Sequence, residues 1–318
     1  MSAAQSVVAF SGGIGGAKLA LGLYRTLPPD RLMVGCNTGD DFEHLGLSIS
    51  PDLDTVLYTL AGIANPETGW GRAGETWSFM QALAQLGGET WFRLGDADLA
   101  THVERTRRLA AGESLSAISD DFCRRLALRA RVLPMCDGPV HTMVLTERGV
   151  LPFQRYFVEQ RCAPKVSGFE FRGAGEARPT PALCAALASD SLEAVVICPS
   201  NPFISIDPIL AVPGMRAAIA ACRAPVVAVS PIIGGRAVKG PTAKMMAELG
   251  LPISARAVAE HYAGLLDGFV LDAADANQAQ AIDLPCLATR TLMTSEDDKR
   301  TLASEVLAFA RRLGKTTR

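Results

Sequence analysis

The chain has 318 residues, of which 48% are hydrophobic and 20% are charged, so it can bury a large core and is not an intrinsically disordered protein. Its 31 basic and 33 acidic residues leave a formal net charge of −2, and nucleic acid is therefore not expected as its main partner. The length suits one large domain or two ordinary ones.

Short apolar runs recur along the chain and predict the strands of a mainly parallel sheet. They are Val7–Phe10, Leu32–Cys36, Met143–Leu145, Val195–Cys198, Val226–Ser230 and Phe269–Leu271. Helical patterns accompany them, at Ala17–Leu27, Met215–Cys222, Ala243–Leu249 and Ala255–Leu266. Strands that alternate with helices predict a three-layer α/β fold.

Residues 55–130 break this alternation, and we expect them to form a mostly helical insertion within a single domain of residues 1–318. The helical patterns are Thr76–Leu86, Ala100–Ala111 and Leu115–Leu128, with one strand-like piece at Thr90–Leu94. Residues 159–180 predict a loop or a small antiparallel hairpin. In the last helix, Ser295 is the expected N-cap, with Asp298 three residues later.

The eight cysteines are spread singly, without a CxxC pair, and most lie in apolar runs. This pattern is typical of buried thiols in a reducing compartment. The start of the chain, Met1–Gln5 followed by Val7–Phe10, has no basic region and too short an apolar stretch for a signal peptide. We therefore expect a cytoplasmic protein with no membrane partner.

The first strand leads into a glycine-dense turn, Ser11-Gly12-Gly13-Ile14-Gly15-Gly16-Ala17-Lys18. A turn of this kind at the start of a helix presents backbone N–H groups to an anion, so a phosphate is the expected ligand. The pattern fits neither a Walker A loop nor GxGxxG, because Leu19 follows Lys18, and Lys18 stands where the third glycine would be. The alternative is a tight turn in which glycine serves only packing.

Acidic residues follow the second strand, at Asp40, Asp41, Asp52 and Asp54. They lie in loops where the sheet's carboxyl edge is expected, beside the glycine-dense turn. Mg²⁺ binds one or two carboxylates together with substrate phosphates, so this group predicts a magnesium site. Helix capping by Asp52 or Asp54 is the alternative, and both roles can coexist.

Two later loops, Cys198–Phe203 and Ser230–Gly235, each follow a predicted strand and supply hydroxyl and amide groups. Together with the glycine-dense turn and the acidic residues, they favour a nucleoside diphosphate and a metal. Arg93 could hold a phosphate or an aromatic ring, although an arginine in this setting more often forms a turn salt bridge. The four histidines are too scattered for a zinc site, and no serine or cysteine nucleophile is evident. Direct displacement at phosphorus therefore fits best.

Several long motifs, in order along the whole chain, resemble those of the 2-phospho-L-lactate transferases (CofD-type) of coenzyme F(420) biosynthesis. They include Ser11-Gly12-Gly13-x-Gly15, Asn37-Thr38-x-x-Asp41, Ser50-Pro51-Asp52-Leu53-Asp54-Thr55, Leu94-Gly95-Asp96-x-Asp98-x-Ala100-Thr101-His102, Pro199-Ser200-Asn201-Pro202 and Ser230-Pro231-Ile232-Ile233-Gly234. The resemblance implies a Rossmann-like fold, a homodimer and Mg²⁺. It also implies transfer of a phospho-acid from a guanosine diphosphate-linked donor to the ribityl hydroxyl of the deazaflavin FO, with release of GMP.

The resemblance also implies roles for residues. The acceptor FO is expected near Asp54 and Arg93, with Asp96 and His102 of the same segment beside it. The nucleotide and its phosphates are expected over Ser11, Gly12, Gly13, Gly15, Lys18, Ser200, Asn201, Ser230 and Gly234. The expected catalytic residues are Asp54, Asp40 and Asp41, and the expected metal ligands are Asp40 and Asp54.

Three donors are compatible with the resemblance, carrying 2-phospho-L-lactate, phosphoenolpyruvate or 3-phosphoglycerate. A different class of function is a non-catalytic regulator that binds nucleotide sugars, since a related family shares the glycine-dense turn and Asn-Thr-Gly-Asp-Asp. Here Phe42-Glu43-His44-Leu45 follows that motif instead of a Gly/Ser-rich run, which favours the transferase. A nicotinamide-dependent oxidoreductase is disfavoured by the missing third glycine.

Overall fold

The structure is a computed structural model that describes residues 6–314, so the expectation about Met1–Gln5 lies outside the described residues. The strands are β1 (Ser6–Ser11), β2 (Leu32–Cys36), β3 (Phe42–His44), β4 (Leu47–Ile49), β5 (Arg131–Pro134), β6 (His141–Thr146), β7 (Gly149–Pro152), β8 (Val166–Arg172), β9 (Leu192–Ile197), β10 (Val226–Val229), β11 (Ile232–Ile233), β12 (Arg236–Ala237), β13 (Gly268–Asp272) and β14 (Cys286–Thr289). The α-helices are α1 (Gly13–Thr26), α2 (Pro51–Ala61), α3 (Ser78–Gln85), α4 (Asp96–Ala110), α5 (Leu115–Arg125), α6 (Pro181–Leu187), α7 (Asp207–Ala211), α8 (Met215–Ala221), α9 (Thr242–Glu248), α10 (Ala255–His261) and α11 (Glu296–Leu313).

A seven-stranded sheet in the order β14-β13-β10-β9-β1-β2-β5 forms the centre of the molecule, and every neighbouring pair in it is parallel. Alternate residues of β1 enter two different cores. Val8 and Phe10 pack on one face of the sheet, whereas Val7 and Ala9 pack on the other with α1, α2 and α11. Burial on both faces explains the continuous apolar strands. The predicted three-layer, Rossmann-like α/β fold is confirmed.

The order of the strands creates a crevice. From β1 the chain extends the sheet through β2 and β5, and it later extends the opposite side through β9, β10, β13 and β14. The loops after β1 and β9 therefore leave the sheet toward opposite sides, although their strands are neighbours. Such a switch point, at the carboxyl ends of parallel strands, is where open α/β sheets bind ligands.

Two strand predictions need correction, and two strands of the central sheet were not predicted. Met143–Leu145 lies within β6, which belongs to a separate antiparallel sheet in the order β7-β6-β8. Residues 90–94 form no strand; they run irregularly, although Leu94 is buried. The two edge strands, β5 and β14, are absent from the prediction, because each has only four residues and β5 ends in a proline.

Other elements agree in part with the sequence pattern. Residues 159–180 contain one strand, β8, which pairs antiparallel with β6 outside that range, so the hairpin expected within residues 159–180 is not formed. Helices α1 and α4 each begin four residues earlier than predicted, so the glycine-dense turn is itself the first turn of α1. Helices α3, α4 and α5 occupy residues 55–130, and their description as an insertion in a single domain stays a prediction.

All eight cysteines are free, and five of them are buried. Within residues 6–314 no single helix is long and apolar enough to cross a membrane, although a bent pair of helical segments, Pro202–Ala211 and Met215–Ala221, meets the length and composition criteria together. The cytoplasmic location and the homodimer stay predictions.

Helix α11 covers α1, and the two helices approach each other closely at Gly22. A Cβ atom at Gly22 would overlap the backbone carbonyl of Lys299. We expect Gly22→Ala to lower the free energy of unfolding, because overpacking costs about 1–3 kcal/mol, which exceeds the roughly 1 kcal/mol that alanine gains in helix propensity. Urea unfolding measures the change.

The control for this substitution is Gly175→Ala, because a Cβ atom there meets no atom within 4 Å. We expect its unfolding midpoint to match or slightly exceed that of the wild type, because alanine also lowers the entropy of the unfolded chain. An unchanged or raised midpoint for Gly22→Ala would contradict the close approach of the two helices.

The predicted N-cap of α11 is confirmed as a capping box. The Ser295 hydroxyl accepts a hydrogen bond from the Asp298 amide, and the Asp298 carboxylate accepts one from the Ser295 amide, both at 3.0 Å. Ser295→Ala removes one of these bonds and should lower the free energy of unfolding by about 1 kcal/mol. The same substitution at Ser304, an exposed residue within α11, should instead raise it by up to about 0.5 kcal/mol. Equal changes in the free energy of unfolding for the two substitutions would show that the Ser295 cap does not stabilise α11.

Candidate functional site

A cavity of about 620 Å³ opens at the carboxyl edge of the parallel sheet, within the usual size range of small-ligand sites. Eleven of the predicted site residues line this cavity. They are Gly12, Gly13, Gly15, Lys18, Asp40, Asp54, Arg93, His102, Ser200, Asn201 and Ser230. Four others, Ser11, Asp41, Asp96 and Gly234, lie outside its lining.

The glycine-dense turn is held by the protein's own side chains. The Gly12 amide donates to the Ser200 hydroxyl at 3.1 Å, and the Gly13 amide donates to Asp52 Oδ1 at 2.6 Å. Two of the amides expected to bind phosphate are therefore already engaged. The amides of Ile14 and Gly15 have no side-chain acceptor among residues 6–314, and both residues line the cavity. These two remain available to an anion.

The other glycines of the turn permit close packing. A Cβ atom at Gly15 would lie 2.5 Å from the backbone carbonyl oxygen of Pro199. One at Gly16 would overlap the hydroxyl groups of Ser11 and Ser200. Packing therefore explains part of the glycine pattern, and it coexists with the presentation of amides to the cavity.

Asp40 and Asp52 form a pair of buried carboxylates beside this turn, each only 6% exposed. The Asn37 amide donates to Asp40 Oδ1 at 2.9 Å and to Asp52 Oδ2 at 3.0 Å. Burial raises the pKa of Asp40 well above its usual range, and Asp52 and Asp41 raise it further. Burial also raises the pKa of Asp52 to about 6.

Neither Asp40 nor Asp52 forms an ion pair with a lysine or arginine of residues 6–314. Two buried carboxylates that converge on one amide and lack a cationic partner form a donor set that a hard divalent cation would complete. The residues thus fit Mg²⁺. The structure pairs Asp40 with Asp52, whereas the expected pair Asp40 and Asp54 stays a prediction.

Asp41 has a different environment from Asp40. Its Oδ2 atom accepts a hydrogen bond from the Ser50 hydroxyl at 2.7 Å, and its Oδ1 atom is buried without a partner. Burial raises the pKa of Asp41 well above its usual range. Since Asp41 does not line the cavity, its expected catalytic role has no geometric support.

Asp54 begins a second acidic group, on α2 and α4. Both of its carboxylate oxygens accept hydrogen bonds from Arg105, Oδ2 from Nη1 at 3.1 Å and Oδ1 from Nη2. His102 Nδ1 lies 3.7 Å from Asp54 Oδ2, and His102 Nε2 lies 3.4 Å from Asp98 Oδ2. Burial raises the pKa of Asp54, and the charge of Arg105 opposes this rise.

Asp98 and Tyr58 complete this group and line the cavity. The Tyr58 hydroxyl donates to Asp98 Oδ1 at 2.6 Å, and Glu75 accepts hydrogen bonds from the Asp98 amide at 2.7 Å and the Ala97 amide at 2.8 Å. Ligand atoms of Asp54, Asp98 and His102 lie within 4.8 Å of one another. Because Arg105 already neutralises Asp54, this trio suits a cation less well than Asp40 and Asp52.

Arg93 and Asp96 have structural contacts. The Arg93 guanidinium lies 3.9 Å from the centre of the Trp77 ring, and Arg93 also lines the cavity. Asp96 accepts hydrogen bonds from the Ser78 and Phe79 amides at 3.0 Å each, which caps the start of α3. Asp96 therefore links the start of α4 to the start of α3, and its expected contact with the acceptor has no geometric support.

The late loops line the cavity, but several of the polar groups expected to bind a nucleotide are already hydrogen-bonded within the protein. The Asn201 side chain caps its own turn by accepting from the Phe203 amide at 2.9 Å. The Ser230 hydroxyl lies 3.1 Å from both the amide and the carbonyl oxygen of Ile232. The Gly234 amide donates to Asp275 at 2.7 Å. Asn201 and Ser230 line the cavity and Gly234 does not, and the expected contacts of all three with a nucleotide stay predictions.

Two lysines give one end of the cavity a positive charge. Lys18 donates to the carbonyl oxygen of Met293 at 2.9 Å, and Lys239 lies close enough to affect it. Burial lowers the pKa of Lys18, and Lys239 and Lys299 lower it further. No carboxylate of residues 6–314 forms an ion pair with Lys18 or Lys239, so this end favours an anionic ligand.

Aromatic side chains line another part of the cavity, a feature not predicted from the sequence. They are Trp70, Trp91, Phe92, Phe153 and Phe157. The Arg155 guanidinium lies 4.2 Å from the centre of the Trp91 ring, and Trp91 Nε1 donates to Glu89 at 2.9 Å. Fixed rings of this kind suit a planar aromatic ligand.

The loop of residues 62–75 borders the cavity beside the glycine-dense turn and Lys239. Gly69 in this loop packs against Ile14 of the glycine-dense turn, and Lys239 Nζ donates to the carbonyl oxygen of Thr68 at 3.4 Å. Trp70 in the same loop is 47% exposed and lines the cavity. The loop thus contacts both the glycine-dense turn and the segment that follows β12.

Comparison with solved structures supports the fold. A UPF0052-family protein from Bacillus halodurans matches with a TM-score of 0.66 over 96% of this chain and 100% of that chain. A second structure of a protein from the same organism matches with a TM-score of 0.63. Both share only 15% sequence identity with this chain, so they show the fold alone.

Sequence comparisons show the family. A phosphoenolpyruvate transferase from Streptomyces griseus is 42% identical over 313 residues, 96% of this chain and 98% of that protein. A 2-phospho-L-lactate transferase from Methanosarcina mazei is 39% identical over 304 residues, 95% of this chain and 99% of that protein. The family model described as "2-phospho-L-lactate transferase CofD" matches residues 7–305. The chain therefore belongs to the CofD family of 2-phospho-L-lactate transferases and is an enzyme that transfers a phospho-acid.

Proposed function

We propose that this enzyme transfers phosphoenolpyruvate from a guanosine diphosphate-linked donor to the ribityl hydroxyl of FO, releasing GMP in coenzyme F(420) biosynthesis. One observation carries the proposal beyond the family. A single cavity has a cationic end at Lys18 and an aromatic end at Trp91, and the carboxylate of Asp54 lines the same cavity. This arrangement suits an anionic donor and a planar acceptor held together.

The reaction is a displacement at phosphorus. The hydroxyl oxygen of FO forms a bond to the phosphorus that carries the phospho-acid, and the anhydride bond to GMP breaks. GMP leaves with the electron pair, and the hydroxyl proton passes to a carboxylate or to water. Catalysis of such a step depends mainly on positioning and charge neutralisation.

The chain's own residues have distinct roles in this proposal. Lys18 and the free amides of Ile14 and Gly15 bind the diphosphate. Asp54, with His102 beside it, orients the acceptor hydroxyl and accepts its proton. Trp91 binds the face of the deazaflavin ring system. The ribityl chain with its hydroxyl then extends toward Asp54 and Asp98, which form the acidic wall of the cavity.

Mg²⁺ is the proposed metal, held by Asp40 and Asp52, while Asp54 keeps its pair with Arg105. When bound, it would neutralise negative charge on the diphosphate and so favour departure of GMP. The support is the uncompensated pair of buried carboxylates beside the glycine-dense turn.

The names of relatives bear on the donor. Phosphoenolpyruvate transferases from Streptomyces griseus and Streptomyces coelicolor are each 42% identical to this chain. The 2-phospho-L-lactate transferases from two Methanosarcina species are 39% and 40% identical. We favour the phosphoenolpyruvate form on this basis, and direct assay decides between it and the lactate and 3-phosphoglycerate forms.

The donor is tested by incubating the enzyme with FO, Mg²⁺ and each of the three guanylylated phospho-acids. We expect GMP release and a product of the corresponding mass, fastest with the phosphoenolpyruvate form and absent when the metal is chelated. Faster turnover with the lactate or 3-phosphoglycerate form would show that this form, and not the phosphoenolpyruvate form, is the donor. Binding of FO without turnover from any donor would contradict the proposed reaction and favour the binding-protein alternative.

The metal site is tested with Asp40→Asn. Removing one of two repelling buried carboxylates should leave the thermal midpoint of the metal-free protein unchanged or raised. Mn²⁺ serves as a probe of the proposed Mg²⁺ site. Asp40→Asn should weaken Mn²⁺ binding, measured by calorimetry, by about tenfold or more, because a carboxylate ligand is lost. Asp283→Asn, at an exposed position outside the cavity lining, is the control and should bind Mn²⁺ like the wild type. Wild-type Mn²⁺ affinity in Asp40→Asn would place the metal elsewhere.

A further inference from the structure

Arg105 lies behind the acidic wall of the cavity. Its side chain is only 1% exposed and does not line the cavity, whereas its partner Asp54 does. Nη1 and Nη2 each donate to a different oxygen of Asp54, so the contact is made at two points. Arg105 therefore contacts the cavity only through Asp54 and the adjoining His102, whose Nδ1 lies 3.4 Å from Nη1.

Three elements meet at this guanidinium. Arg105 belongs to α4, Asp54 belongs to α2, and Nη1 also donates to the carbonyl oxygen of Ser48 in β4 at 3.3 Å. The neighbouring Thr106 hydroxyl accepts a hydrogen bond from the Ser48 amide at 2.8 Å, which fixes α4 against β4. The position of the guanidinium is thus set by the fold before any ligand binds.

We infer that Arg105 is a positioning residue, whose two-point contact fixes the orientation of the Asp54 carboxylate toward the acceptor hydroxyl. The inference rests on the proposed function, because it concerns the substrate that Asp54 faces. A buried carboxylate without this partner could rotate about its side-chain bonds. The planar guanidinium matches the plane of a carboxylate and removes that freedom, which a single ammonium group cannot do.

The first test compares Arg105→Lys with the wild type. Lysine keeps the positive charge but makes at most a one-point contact, so kcat should fall by about tenfold or more, while the KM for the donor stays within about twofold. The KM for FO should rise. Wild-type kcat in a folded Arg105→Lys enzyme would overturn the inference.

The second test is a double-mutant cycle with Arg105→Gln, Asp54→Asn and the variant that carries both. If Arg105 acts only through Asp54, the double variant should be no slower than Asp54→Asn alone. If the double variant instead loses kcat by the product of the two single-variant losses, Arg105 acts independently of Asp54 and the inference is overturned. If Arg105→Gln does not fold, Arg105→Lys still decides.

Arg108→Gln is the matched control, because Arg108 lies one turn later on α4 and pairs with Glu113 and Asp121 outside the cavity lining. Its kcat and both KM values should match those of the wild type. A loss of kcat in Arg108→Gln equal to that in Arg105→Lys would show a general effect of helix stability and would overturn the inference.

Calorimetric titration with FO separates this inference from the proposed reaction. If the wild type binds FO but transfers nothing to it, the proposed reaction fails, yet weaker FO binding in both Asp54→Asn and Arg105→Lys would still support the positioning role. Unchanged FO affinity in both variants would then overturn it. Absence of FO binding by the wild type would overturn the inference and the proposed function together.

Discussion

The hydrogen bond from the Gly13 amide to Asp52 is the contact on which the geometry of the site depends. It joins the first turn of α1 to the first turn of α2, and Asn37 extends the connection to Asp40. Through this contact, the loops after β1 and β2 are fixed relative to each other at the edge of the sheet. The carboxylates are buried there at an energetic cost, which a folded protein tolerates where binding or catalysis requires the charge.

The two acidic groups differ in how their charge is balanced. Asp54 has Arg105, a permanent cation supplied by the fold, whereas Asp40 and Asp52 have uncharged donors, the Asn37 side-chain amide that they share and the Gly13 backbone amide on Asp52. A balanced carboxylate can stay ionised and oriented without a ligand. An unbalanced pair gains most from a cation that arrives from outside. Under the proposed function, the first group therefore suits the acceptor and the second suits the metal.

The sequence predicted the layers and the edge of the sheet that carries the site, because buried parallel strands are continuous apolar runs and glycine-rich turns follow them. It could not predict that Asp52 would occupy an amide of the glycine-dense turn, or that Asp96 would cap α3, since both bonds join residues far apart in the chain. Arg105 was missed for the same reason. One local signal was present: Asp98, His102 and Arg105 share one face of α4 through spacings of four and three.

The strand order has a consequence for how such an enzyme can diversify. The acceptor end of the cavity is built from residues before β9, while the loops after β9, β10 and β14 build much of the opposite wall. Under the proposed function, the acceptor is recognised by residues before β9 alone, whereas the donor lies between the glycine-dense turn and the loops of the second half of the chain, which also meets the first half at Lys239 and Thr68. Substitutions in the second half can alter donor preference while the deazaflavin pocket is inherited unchanged, so related enzymes can share an acceptor and differ in the acid that they attach.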